Sequence, residues 1–307
     1  MRRWVVSLLV VGLLAFGAGT AFAGGSNVYP NGAEAFWMGA APPPGFYYIN
    51  YDLWYESHRF NDNSGNEIKA GPVGPFDFDV FANVSRFLYM SKVKILGANW
   101  GGHVFVVLQD SDTRTIFGHS RESGFGDLIV DPFILAWHSP NFHVVTGVDI
   151  FCPTGDYQAG RVTNLSANVF VYEPIVAFTY MTPLKGLTVS MKNMYDIPEE
   201  NNDFINPFNG AKGNLEYGQA YHFDYSIDYT FNDNWKAGLG GYYYIQTTND
   251  EFNSVELKHA KGQVFAIGPE VEYLKGRFIV SYSADFEVES RNAPQGVANW
   301  LRVTYVF

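Results

Sequence analysis

Alternation with a period of two runs through most of this chain. In its clearest stretch, residues 221–231, Tyr221, Phe223, Tyr225, Ile227, Tyr229 and Phe231 share one face. His222, Asp224, Ser226, Asp228 and Thr230 share the other. A strand patterned this way sets an apolar surface against a polar one. The last residues repeat it, with Leu301, Val303, Tyr305 and Phe307 opposite Trp300, Arg302, Thr304 and Val306. Read by this rule, strands are predicted over 47–58, 76–85, 101–109, 126–137, 142–151, 169–181, 187–196, 221–231, 235–246, 264–274, 277–287 and 297–307. That set of about twelve is even, as in single-chain bacterial membrane barrels.

The connections sort themselves. Segments 91–99, 139–141, 182–186, 232–234 and 275–276 are short and mostly turn-forming. Between them fall longer polar loops, 59–75, 110–125, 153–168, 197–218, 247–262 and 288–296. Short and long links alternate, as they do where periplasmic turns face external loops. The predicted fold is all-β: a transmembrane, antiparallel, up-and-down β-barrel over 46–307 with both termini periplasmic. A secreted soluble sandwich is the alternative, but it gives no reason for the sorting.

The N-terminus agrees with export. Arg2 and Arg3 precede an apolar run over 4–16, and Ala21-Phe22-Ala23 is a small-x-small cleavage signature. Residues 1–23 therefore read as a cleaved signal peptide. The segment 24–45 follows, with a short helix expected over 31–40 capped by Asn31 and an extended exit at Pro42-Pro43-Pro44. Phe36, Trp37 and Met38 are too apolar for a free tail, so the segment is expected to plug the periplasmic mouth.

Composition narrows the partners. Removing the two leader arginines from 20 Lys+Arg leaves 18 against 31 Asp+Glu, a net charge of −13 that disfavours nucleic acid. Aromatic content is 17%, while mean hydropathy is only −0.09. Alternating lipid-facing and lumen-facing side chains produce that combination. The single Cys152 cannot form an intramolecular disulfide.

Several short motifs occur in order along the mature chain. They are Asn31-Gly32-Ala33-Glu34, Pro42-Pro43-Pro44-Gly45-Phe46-Tyr47, Gly124-Phe125-Gly126-Asp127-Leu128, Asp131-Pro132, Leu135-Ala136-Trp137-His138, Pro153-Thr154-Gly155-Asp156-Tyr157 and Ile267-Gly268-Pro269-Glu270. Together they resemble the SphA-like family, the phenol-degradation meta-pathway outer-membrane proteins. The resemblance implies passive passage of small hydrophobic or aromatic, phenol-like compounds across the outer membrane. It carries over no catalytic residue. Cys152 before Pro153 departs from the family pattern.

The polar register predicts a lumen lined by Asp52, His222, Asp224, Asp228, Glu270, Glu272, Asp285 and Arg302. Glu56, Asp77, Asp79, Asp149, Glu173 and Glu287 fall on the same register, as do Lys192, Lys236, Arg277 and, less firmly, His143. A lumen of this kind favours cations and neutral solutes. Tyr48, Trp54, Phe81, Tyr242, Tyr244 and Trp300 are expected to offer ring faces to aryl solutes. Pro132, Pro174 and Pro269 interrupt predicted strands and mark bulges or a lateral gap toward lipid. Two other classes stay in view, an outer-membrane lipid-modifying hydrolase and an adhesin. For the first, His119-Ser120 and His138-Ser139 are the candidate Ser–His neighbours, and no G-x-S-x-G elbow accompanies them. His103, His119, His138 and His143 lack zinc-site spacing, so neither metal nor cofactor is expected. Expected partners are outer-membrane lipid, the solute, and the barrel-assembly machinery through Phe307.

Overall fold

The computed structural model describes residues 28–69, 76–115, 118–207 and 209–307. The leader at 1–23 and residues 24–27 lie outside these. The chain forms β1 (Gly45–Ser57), β2 (Asp77–Ile95), β3 (Ala98–Thr115), β4 (Gly118–Phe125), β5 (Leu128–His138), β6 (Phe142–Cys152), β7 (Val171–Met181), β8 (Leu187–Pro198), β9 (Glu200–Ile205) and β10 (Lys212–Glu216). It continues with β11 (Ala220–Thr230), β12 (Trp235–Gln246), β13 (Glu251–Phe252), β14 (Val255–Glu256), β15 (Gln263–Lys275), β16 (Phe278–Arg291) and β17 (Val297–Val306).

The main sheet closes because β1 pairs with both β2 and β17, Tyr51 facing Val84 on one side and Arg302 on the other. Every neighbour pair in it is antiparallel. β4 pairs with the outer half of β3 and β5 with the inner half. The two are one descending strand broken at Gly126-Asp127, so the wall is a twelve-stranded barrel. The predicted strands are present, and several run longer. β2 has 19 residues; at ~3.4 Å per residue and a tilt of ~40° it stands about 50 Å tall, roughly twice the ~25 Å apolar band of such barrels. Its periplasmic turn, Leu96-Gly97, takes φ of 51° and 81°, the positive values that a two-residue hairpin turn of the right twist demands.

The exterior has the order of a bilayer surface. At the periplasmic end Phe46, Tyr89, Phe142, Tyr180, Tyr229, Trp235 and Phe278 are exposed. At the outer end Trp54, Phe81, Phe125, Tyr172 and Phe286 are exposed. Between them lie Val104, Val148, Val176, Ile227 and Leu239. Two aromatic girdles around an aliphatic belt place the closed sheet in an outer membrane. Trp54 lies eight residue steps beyond Phe46, ~27 Å along the strand.

Two expectations change. Residues 31–40 form turns rather than a helix, with Ala33 N bonded to Pro30 O and Ala40 N to Trp37 O. Amides that a helix would have used are bonded to the barrel instead. The loops 110–125, 197–218 and 247–262 are not irregular: the first is drawn into the paired strands β3 and β4, and the other two supply the four-stranded external sheet β14-β13-β10-β9.

Candidate functional site

The lumen is occupied by the segment before β1. Tyr29, Ala33, Ala35 and Phe36 are buried there, with Phe36 only 2% exposed. Burying Tyr29 and Phe36 contributes about 1.5–3 kcal/mol each. Asp224 on β11 accepts three hydrogen bonds from the segment: Tyr29 Oη at 2.8 Å, Gly32 N at 2.8 Å and Glu34 N at 3.2 Å. Gly32 has φ of 81°, and a Cβ there would meet the Asp285 carboxylate and the Tyr242 ring. Only glycine suits that turn.

Glu34 is the hinge of the arrangement. Arg86 on β2 and Arg302 on β17 grip its two oxygens at 3.0 and 2.9 Å, and Tyr51 donates to it at 3.3 Å. The guanidiniums are held from behind, Arg86 by His103 Nδ1 at 2.8 Å and Arg302 by Glu272 at 3.6 Å. Further down, Trp37 Nε1 donates to Glu272 at 3.2 Å, and Lys236 Nζ sits 3.5 Å above the Trp37 ring while pairing with Asp228 at 2.7 Å. Gly39 N bonds Thr179 Oγ1 at 3.0 Å.

Two chambers lie on either side of this clasp. The outer one, ≈ 70 Å³, is walled by Tyr51, Ala82, Val84, Phe105, Ile129 and Phe151, with Tyr29 and Glu34 as its floor. The periplasmic one, ≈ 430 Å³, is walled by Trp37, Met38, Leu88, Ile134, Ile175 and Val306. Glu34 borders both.

Of the predicted lumen set, His222, Asp224, Asp228, Tyr242, Tyr244, Glu270, Glu272, Asp285 and Arg302 point inward, as does Trp300. The inward aromatics are engaged rather than open platforms, with Tyr242 donating to Glu287 at 2.6 Å. Asp52 is a correction. The inward face of β1 is Tyr47, Ile49, Tyr51, Leu53 and Tyr55, so Asp52 faces out, bonded by Asn83 at 2.7 Å. Tyr48, Trp54 and Phe81 are outward too, and Trp54 and Phe81 pair as girdle rings 5.5 Å apart. Glu56, Asp77 and Asp79 follow the same outward register at the rim. On these two strands the lumen side is apolar; Glu56, Asp77 and Asp79 lie beyond the Trp54 girdle, and Asp52, just inside it, shares the Asn83 amide with Asn50. Arg86 and Tyr29 were not singled out from sequence, and Glu34 entered only as part of the Asn31-Gly32-Ala33-Glu34 motif. Glu34 precedes the barrel, and no periodicity places a pre-strand acid between two strand cations.

The prolines each break one ladder. Pro132 lies where β5–β6 pairing lapses between Val130 and Leu135 with a register shift. There Asp131 accepts Phe133 N at 2.7 Å and Val148 N at 2.9 Å in place of strand partners. Pro174 falls in the gap of β7–β8 between Tyr172 and Ile175, and Pro269 in that of β15–β16 between Ile267 and Glu270, without a shift. Neither serine bonds to the histidine beside it. His119 pairs with Asp112 at 2.7 Å, and Ser139 donates to Phe142 O at 2.7 Å while His138 meets His143.

A closed barrel with paired aromatic girdles defines an outer-membrane β-barrel, here with a filled, chambered lumen. The chain belongs to the family described as "Putative MetA-pathway of phenol degradation", whose model matches residues 57–303. Among solved structures it is similar to the COG4313 outer membrane channel from Pseudomonas putida F1, at 14% identity, covering 92% of this chain and 100% of that one, with a TM-score of 0.76. It is also similar to the beta domain of the Bordetella autotransporter BrkA, at 9% identity, covering 86% and 99%, with a TM-score of 0.51. At these identities the likeness is one of fold. No curated protein matches the chain.

Proposed function

We propose that this barrel is a passive outer-membrane channel for small hydrophobic or aromatic, phenol-like compounds, with residues 28–44 as its internal gate. The observation that carries the reading is the pair of mainly apolar chambers separated by the Glu34 clasp. An apolar solute gains by leaving water for the outer chamber, whereas a sugar finds few free polar partners there. The family's description, which names phenol degradation, supports the same solute class. The N-terminal segment acts as the plug, with Phe36 and Trp37 filling the section and Met38 facing the periplasmic chamber. Liposome swelling with neutral aromatics and sugars of equal size tests the solute class. Aromatics are expected to enter and sugars to be excluded; equal rates for both would sink the reading.

We also propose that the solute leaves sideways at Pro132 rather than at Pro174 or Pro269. Asp131, Ile134, Val145, Thr146 and Gly147, which flank the unpaired stretch, all line the periplasmic chamber. A disulfide across the gap (Phe133→Cys with Val148→Cys, both exposed and both with their N–H on the Asp131 carboxylate, on a Cys152→Ser background) should stop aromatic uptake until reduced. Uptake indifferent to oxidation would remove the lateral route. Phe307, whose ring lies 5.4 Å from Phe46 at the closing seam, is proposed as the handle for the barrel-assembly machinery.

A further inference from the structure

Three inward residues on successive strands converge in the outer half of the wall: Glu173 on β7, Asp196 on β8 and His222 on β11. Their side chains are 0% exposed. His222 Nε2 lies 3.3 Å from Asp196 Oδ1 and 3.4 Å from Glu173 Oε2, and one ligand atom from each residue lies within 4.8 Å of the others. Both Glu173 oxygens, Asp196 Oδ2 and His222 Nδ1 have no hydrogen-bond partner. Among the described residues neither carboxylate is paired with a lysine or arginine. Lys192, the inward cation of β8, is spent on the Tyr29 ring at 4.3 Å.

Two enclosed carboxylates sharing one ring N–H are poorly compensated, because a buried charge costs several kcal/mol unless it is paired. The separations say what is missing. They exceed the ~2.7–2.9 Å of a charge-assisted hydrogen bond. They match the edge, about 3.3–3.4 Å, of a tetrahedron around an ion bonded to nitrogen and oxygen at ~2.0–2.1 Å. A second cluster shows the contrast. His103, Asp131 and Asp149 also converge, but His103 Nε2 bonds Asp149 at 2.6 Å, its Nδ1 meets Arg86 at 2.8 Å, and Asp131 is taken by two amides. That cluster is already satisfied and holds a guanidinium.

We propose that Glu173, Asp196 and His222 bind one divalent transition-metal cation of the zinc type. An imidazole nitrogen with only two carboxylates suits such an ion better than calcium or magnesium, which prefer all-oxygen shells. A water completes the fourth position. The placement has a structural use. The β7–β8 ladder lapses between Tyr172 and Ile175, where Pro174 has no N–H to give, and the ion would join β7, β8 and β11 across that lapse.

The test uses the detergent-purified chain stripped with EDTA. His138 and His143, exposed with Nδ1 atoms 3.0 Å apart, are a rival surface site, so both are first replaced by alanine. Cobalt(II) is followed by its visible absorption and zinc(II) by calorimetric competition. The expected result is one equivalent per chain with the intense bands of four-coordinate cobalt, displaced by zinc. Glu173→Gln and His222→Gln should each weaken binding at least 100-fold and lose the bands, with folding checked by heat-modifiable gel mobility. No binding by the folded parent, only the weak bands of a six-coordinate surface ion, or a tight equivalent that survives in folded His222→Gln would each overturn the proposal. If the variants do not fold, the parent's stoichiometry and band intensity still decide.

Discussion

Replacing Glu34 with glutamine tests the gate at its clasp. The side chain keeps its shape but loses the charge that two guanidiniums grip at 2.9 and 3.0 Å, in a site where the three groups are 11–16% exposed. Breaking a buried ion pair by removing one partner costs ~3–5 kcal/mol. The glutamine oxygen recovers ~1 kcal/mol as a neutral hydrogen bond. Arg86 keeps Tyr51 and His103, and Arg302 keeps Glu272, so the lower end of the range applies. A loss of about 2–3 kcal/mol shifts the seated-to-released equilibrium of the segment roughly 30- to 150-fold. Planar-bilayer recordings read this directly. The wild type should show rare openings, Glu34→Gln openings more frequent by about that factor, and deletion of residues 24–39 a steadily open pore. Burial makes the pair resistant to screening, so the contrast should persist in high salt. Superimposable traces from all three proteins would refute the gate and the reasoning behind it.

Three further outcomes are expected. Gly32→Ala should release the segment as well, because the residue sits at φ 81° against Asp285 and Tyr242; bilayer openings at the wild-type rate would contradict this. Asp250, enclosed between Gly218 N and Gln246 Nε2 at 2.6 Å each, has its carboxyl pushed up by burial to about 6. Its folded value lies above the unfolded one of ~4, so its stabilising share is full below pH ~4 and lost as pH rises through 6. Hydrogen exchange in the external sheet should therefore be slower, after correction for intrinsic rates, at pH 5 than at pH 7.5, and Asp250→Asn should flatten the difference. Deleting Phe307 removes ring contacts with Phe46 and Tyr305 at 5.4 and 4.9 Å, and should lower the yield of heat-modifiable barrel in cells. An undiminished yield would show that the seam closes without it.

The architecture was legible because a membrane barrel writes its constraints locally. Each strand must alternate, each turn must reverse the chain, and the sorting of short from long links reports the two sides of the membrane. Residues 221–231 and the terminal strand show this without any tertiary information. What alternation cannot do is say which face is inside. On β11 the polar face, with His222, Asp224 and Asp228, turns inward. On β1 both faces carry tyrosines and polar groups, and the reading of Asp52 and Trp54 failed. Tyr51 lines the outer chamber and Leu53 and Tyr55 join the buried interior, while Trp54 marks the lipid boundary.

The sequence alone determined the strand count, the exported character and the class of surface each strand carries, since these follow from periods of two and from composition. Only the tertiary structure decided the contents of the lumen. Glu34 meets Arg86 and Arg302 across 52 and 268 residues, and Glu173, Asp196 and His222 meet only because three strands lie side by side. Such meetings are set by barrel closure and strand register, which are properties of the whole sheet. No local pattern along the chain encodes them.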